Sequence, residues 1–240
     1  MARRQTVAPA VRRQVIATWG NGCWLGLPGC TGRGEEDDHI VPWSHRGRDS
    51  VTNIRRACKH CNAMRQDRVL SGYGATLHAV IGPPSADLIG YATEFMRYDS
   101  VMVAHSEFAR VLSCDDDDLA DEQPVRVAAA MAWDAAYRQL ARTREPLDVW
   151  LVRTLPRSQR HPQMLREWIA LDYDVHVIDP GADSVFAAIE DKGEAIVRVA
   201  RQWYALGITQ QGVDAMAAAR RAQLETLGLR QPSAITRIEW

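Results

Sequence analysis

The stretch "DHIVPWSHRGRDSVTNIRRACKHCN", residues 38–62, decides how the first third of this chain is built. It ends on Cys58-x2-Cys61, and a second pair, Cys23-x6-Cys30, is separated from Cys58 by 27 intervening residues. Four thiolates at tetrahedral reach form a structural zinc site with no open position. The second pair has the usual spacing; the first is wider. A segment of about 60 residues with few large apolar side chains does not fold on burial alone, and a bound metal supplies on the order of 10 kcal/mol. The remaining cysteine, Cys114, lies alone beside an acidic run and reads as a free thiol without a role.

Charge divides the chain as the cysteines do. The net charge is −1, but residues 1–72 carry 12 Lys/Arg against six Asp/Glu, and the remainder carries 17 against 24. This asymmetry predicts an anion-binding module joined to a more acidic body. No apolar run approaches the roughly 20 residues of a membrane span. The opening MARRQTVAPA has no apolar stretch behind it and reads as no signal peptide. A cytoplasmic location follows as an expectation, and there cysteines bind metal more often than they pair.

Periodicity predicts a helix over residues 8–19, closed by Gly20, Asn21 and Gly22. DHIVPW reads as a short strand stopped by Pro42, VTNIRRAC as a second strand, and residues 60–70 as a helix. SGYG, 71–74, reads as a linker. Beyond it, strands at 75–82, 100–105, within LDVWLVRTL and within YDVHVIDPG alternate with helices, and helical pattern dominates to about Leu229. CDDDDLADEQP reads as an exposed acidic loop. Continuous apolar strands alternating with helices predict a parallel sheet. The expected class is α/β, with a metal-bound module at 1–72, an α/β domain at 75–205, and a C-terminal helix and tail at 206–240.

Asp38-His39, Asn53 fourteen residues after His39, and Cys58-x2-Cys61-Asn62 occur in order, and through them the sequence resembles the HNH endonucleases. These are a branch of the ββα-metal (His-Me finger) nucleases, and the likeness is to the zinc-stapled, phage-borne form over roughly residues 10–72. The chemistry has its own logic. Phosphodiester hydrolysis needs an activated water and a cation for the anionic transition state. A neutral imidazole can take water's proton near neutral pH, and a hard dication prefers oxygen ligands. The resemblance implies that His39 is the general base and that Asn53 braces the loop holding it. It implies that Asp38 and Asn62 bind a catalytic divalent ion, which an Asp/Asn oxygen pair suits to Mg²⁺ or Mn²⁺. Arg46, Arg48, Arg55 and Arg56 read as backbone-phosphate contacts on DNA. Arg65 and Arg68 read as clamps on the scissile phosphate. His45 is a loop histidine within reach of phosphate, and His60, between two cysteines, is expected to face solvent.

VIGPPSADLI, residues 80–89, sits where a phosphate-binding loop would, but Asp87, Leu88 and Ile89 occupy the seats of glycine, lysine and hydroxyl. An aspartate at a helix N-terminus repels phosphate. Residues 75–205 resemble a P-loop kinase-like domain in degenerate form, with no ATP expected. The resemblance as a whole points to a phage-encoded endonuclease that nicks or cuts DNA, with the packaging terminase as a partner. Two other readings stay open: a zinc-stapled DNA-binding module whose cleavage has lapsed, and an ATP-gated nuclease.

Overall fold

A computed structural model of the chain describes residues 6–116, 122–154 and 161–230. The acidic run at 117–121 and the end of the tail at 231–240 lie outside the described residues. The chain divides into two compact units, Met1–Met64 with Ala215–Trp240, and Arg65–Asp214. These cuts differ from the expected 1–72, 75–205 and 206–240, and local bonding explains both differences. Residues 66–74 are tied into the second unit: Val69 N–H donates to Ala141 O at 2.9 Å, and Ser71 N–H to Leu171 O at 3.0 Å. SGYG is therefore an anchored turn rather than a linker. At the other end, Arg220 donates to Trp24 O at 2.8 Å and Arg55 to Leu227 O at 2.9 Å, which binds the last helix to the first unit.

The first unit begins with α1 (Pro9–Trp19), whose Val15 packs with Val7 and Ile54 in a small apolar cluster. Two short strands follow, β1 (Glu36–His39) and β2 (Ile54–Ala57), paired antiparallel with Asp37 opposite Arg56 and His39 opposite Ile54. The expected strand over DHIVPW starts earlier and stops at His39. Pro42 lacks a ladder donor, and the chain turns through a short 3-10 segment, Trp43–His45. Next comes α2 (Lys59–Arg65), shorter than expected because Gln66 takes a left-handed φ of 56°.

The second unit is the predicted α/β layer structure. Its strands are β3 (Thr76–Gly82), β4 (Val101–Ala104), β5 (Asp148–Thr154) and β6 (Asp174–Val177). They form one parallel sheet in the order β4-β5-β3-β6. Its helices are α3 (Leu88–Phe95), α4 (His105–Leu112), α5 (Gln123–Leu140), α6 (His161–Ala170), α7 (Ala182–Ala188) and α8 (Glu194–Ala205), and α9 (Gln210–Thr226) runs on into the first unit. Val80, Leu88, Ala92, Ala104, Trp150 and Val152 make one buried cluster between sheet and helix. At the carboxyl end of β3, a Cβ on Gly82 would lie 2.3 Å from Ile178 O, so only glycine fits there. Asp87 caps α3 by accepting from Gly90 N–H at 2.8 Å. No helix among the described residues is long and apolar enough to cross a membrane.

A cleft of about 260 Å³ at this carboxyl end is lined by residues that include Asp87, His105 and Arg153. Burial, and then the Arg153 charge, lower the His105 pKa to about 4. The folded state thus keeps this imidazole neutral while the unfolded chain protonates it near its usual value of about 6.5. The stability that this residue contributes is complete above that pH and is lost as pH falls toward about 4, up to about 3 kcal/mol. His105→Gln is expected to flatten the acid limb of the second unit's stability between those values, as read by thermal melts across pH against the wild type.

Candidate active site

The metal framework comes first because it positions the rest. The chain leaves α1 through Gly20 and makes an isolated antiparallel bridge between Gly22 and Arg33. This folds Cys23 back beside Cys30, with Cys23 N–H donating to Gly32 O at 3.0 Å. Cys58 and Cys61 sit at the start of α2. One sulfur from each of the four lies within 4.8 Å of the others, and Cys30 and Cys58 are 4.0 Å apart. Zinc–sulfur bonds of about 2.3 Å set tetrahedral edges of about 3.8 Å, so the donor set and its size both fit a structural zinc. Backbone amides of Gly32 and Cys61 reach Cys30 and Cys58 at 3.3 and 3.4 Å, which suits thiolate sulfur. Burial pushes the Cys23 and Cys61 thiols up. Burial also opposes ionisation of Cys58, but donors on Cys61 and Thr31 outweigh it and hold Cys58 at about 6. His60 is exposed, as expected, and its Nε2 meets Pro28 O at 2.7 Å, bracing the loop between the first two cysteines.

The strands of the first unit carry the candidate chemistry. Successive strand residues point to opposite faces, and the contacts follow that rule. Asp37 pairs with Arg12 at 2.6 Å and with Arg56. Asp38 is buried, and its Oδ2 accepts from the Trp24 indole at 2.8 Å. His39 Nε2 lies 2.7 Å from Asp49 Oδ1, and its ring meets Trp43 edge-on at 6.2 Å. Asn53 accepts from Val41 N–H at 2.9 Å and donates to Val41 O and Arg48 O at 3.2 and 3.1 Å. It thereby pins both ends of the loop that carries Asp49. Gly47 is essential to this loop, since a Cβ there would lie 1.8 Å from Val41 O. The loop borders a cleft of about 510 Å³ lined by Trp43, Arg46, Gly47, Arg48 and Asp49.

On the other face of β1, Asn62 of α2 donates its amide to Glu36, which shares a face with Asp38. A carboxylate accepts only from the NH₂ end, so Asn62 Oδ1 is turned away from Glu36. Sequence reasoning missed Glu36 and Asp49. Glu36 lies two residues before Asp38 in the acidic run 35–38, a period-two signal that would have found it. Asp49 has no such signal, because its pairing with His39 depends on the loop's path.

The arginine expectations need correction. Arg55 stacks 4.0 Å over Trp19 and bonds the carbonyls of Val51 and Leu227. Arg56 bonds Asp37, Asn21 and Gly34. Arg65 is 0% exposed and donates to Arg68 O at 3.0 Å. Arg68 bonds Tyr137 and Glu167, and the surrounding negative and phenolic groups raise its pKa against burial. All four guanidiniums are buried and spent on internal partners, so they are not a phosphate-facing surface. Arg46 and Arg48 are exposed at the cleft.

Residues 29–68 match the family model for HNH endonuclease. The matched segment takes in Asp38, His39, Asn53, Asn62 and three of the four clustered cysteines. The match suggests nuclease activity for this segment. The match ends at residue 68, before β3, so the P-loop kinase-like reading of 75–205 gains nothing from it. No curated protein and no solved structure matches the chain.

The cysteine cluster and the polar contacts of β1 involve different side chains of the first unit. Cys58→Ser is expected to unfold the first unit and release its zinc, whereas His39→Ala should fold and keep zinc. Metal content per chain and near-ultraviolet circular dichroism distinguish the two outcomes.

Proposed function

We propose that this chain is a metal-dependent endonuclease that hydrolyses DNA phosphodiester bonds. The observation that carries the reading is His39, bonded to Asp49 beside a basic cleft, within a segment that matches the HNH model. His39 acts as the general base. Asp49 fixes its ring orientation and tautomer, leaving Nδ1 as the nitrogen that takes a proton from water. Asn53 is the positioning residue, holding the loop through Val41 and Arg48. Arg46 and Arg48 contact backbone phosphates, which orients the duplex without reading sequence.

Asp38 and Asn62 would hold the divalent ion, with Glu36 orienting the Asn62 amide so that its oxygen is the end offered. An oxygen donor set of this kind fits Mg²⁺ or Mn²⁺. When bound, such an ion neutralises charge on the scissile phosphate and its leaving oxygen. The chain's own groups do the rest: they align the phosphate and receive the proton.

Wild-type protein with Mg²⁺ or Mn²⁺ is expected to nick or linearise supercoiled plasmid. His39→Ala should lower the rate by at least about 100-fold, and Asp49→Asn by less. Replacing both Arg46 and Arg48 with alanine should weaken DNA binding and reduce the salt slope by about 2. Retained DNA binding with no cleavage in either metal would instead favour a zinc-stapled binding module.

A further inference from the structure

His78 on β3 and Asp174 and His176 on β6 come together on one face of the parallel sheet. In the register His78 lies opposite Asp174, and His176 lies opposite Val80, two residues further along each strand. Alternation places all three side chains on the same side. One ligand atom of each lies within 4.8 Å of the others. Their environment is half-buried, with Asp174 the most open at 49% side-chain exposure.

Each imidazole has one nitrogen engaged and one directed at Asp174. His78 Nε2 is bonded to Asp148 Oδ1 at 3.1 Å, and His176 Nδ1 to the Tyr91 hydroxyl at 3.1 Å. A carboxylate accepts, so His78 Nε2–H donates to Asp148, and Nδ1 is the nitrogen through which the neutral ring would bind a metal. Asp148 is itself held by Ser100 and by the Trp150 indole, which stacks on His78 at 4.3 Å. The other nitrogens, His78 Nδ1 and His176 Nε2, are buried and face only Asp174 among the contacts described. They stand 3.5 and 3.3 Å from Asp174 Oδ2. Bonds of about 2.0–2.2 Å from one zinc to nitrogen and oxygen give tetrahedral edges of about 3.3–3.5 Å. The separations are thus those of ligands sharing an ion. The His78–Asp148 bond is also of the kind that orients metal-binding histidines from behind.

We propose that His78, Asp174 and His176 form a second metal site, for a zinc-class transition-metal ion, with the fourth position open to solvent on the Asp174 side. Two imidazoles and one carboxylate favour such an ion over Mg²⁺. The site clasps the edge strand β6 to β3. It is independent of the cysteine cluster and of the nuclease reading.

The test uses the full chain, stripped with chelator and titrated with Co²⁺. Thiolate-to-cobalt charge transfer reports the cysteine site; cobalt bound without that absorbance reports nitrogen and oxygen sites. His176→Gln and the near-isosteric Asp174→Asn should each remove one equivalent of the second kind, or weaken it by more than about 10-fold, with the charge-transfer band unchanged. Equal stoichiometry and affinity in wild type and both variants would overturn the proposal. Independently of any variant's folding, wild-type crystals soaked in Zn²⁺ and measured at the zinc edge should show an anomalous peak between the three side chains; no peak there overturns it.

Discussion

The first unit depends on four sulfurs held within 4.8 Å of one another. They tie the loop after α1 to the start of α2, and the two short strands are fixed between those anchors. The apolar cluster of this unit is small, centred on Val7, Val15 and Ile54. Burial of that size does not offset the conformational entropy of ordering so many loop residues. A metal ion held by the four sulfurs would, because its binding free energy is folding free energy. The cysteines thereby anchor both ends of the segment that carries His39 and Asn62.

Polar cross-links complete what the metal begins. Arg56 joins Asp37 to the carbonyl of Gly34, and Arg55 and Arg220 close the last helix onto Trp19 and Trp24. A guanidinium suits this work, since it offers five donors in a rigid fork and stacks on indole faces. Removing one partner would leave a buried charge exposed to a large desolvation cost. This also accounts for the basic composition of the first third of the chain. Much of that charge is architectural, and only part of it is presented to a ligand.

The second unit follows a different logic. Its strands bury continuous apolar rows, with Val80, Trp150 and Val152 in one cluster. Its polar groups gather at the two ends of the sheet: Asp87, His105 and Arg153 at the carboxyl ends, and His78, Asp148 and Asp174 near the amino ends. Parallel strands align their ends, so groups distant in sequence meet there wherever the register brings them level.

Much of this was legible in the sequence. The cysteine spacing determined the metal framework, because ligand geometry acts through covalent separation along the chain. The order Asp38-His39, Asn53, Asn62 marked the candidate site, and alternating apolar runs marked a parallel α/β sheet. Tertiary structure alone decided the rest. It turned Arg55, Arg56, Arg65 and Arg68 inward, since formal charge carries no information on direction. It matched His39 with Asp49 and Asn62 with Glu36, and it levelled His78 with Asp174. Each of these pairings depends on a loop path, a helix docking or a strand register, which are set by packing over the whole unit and not by the spacing of the residues concerned.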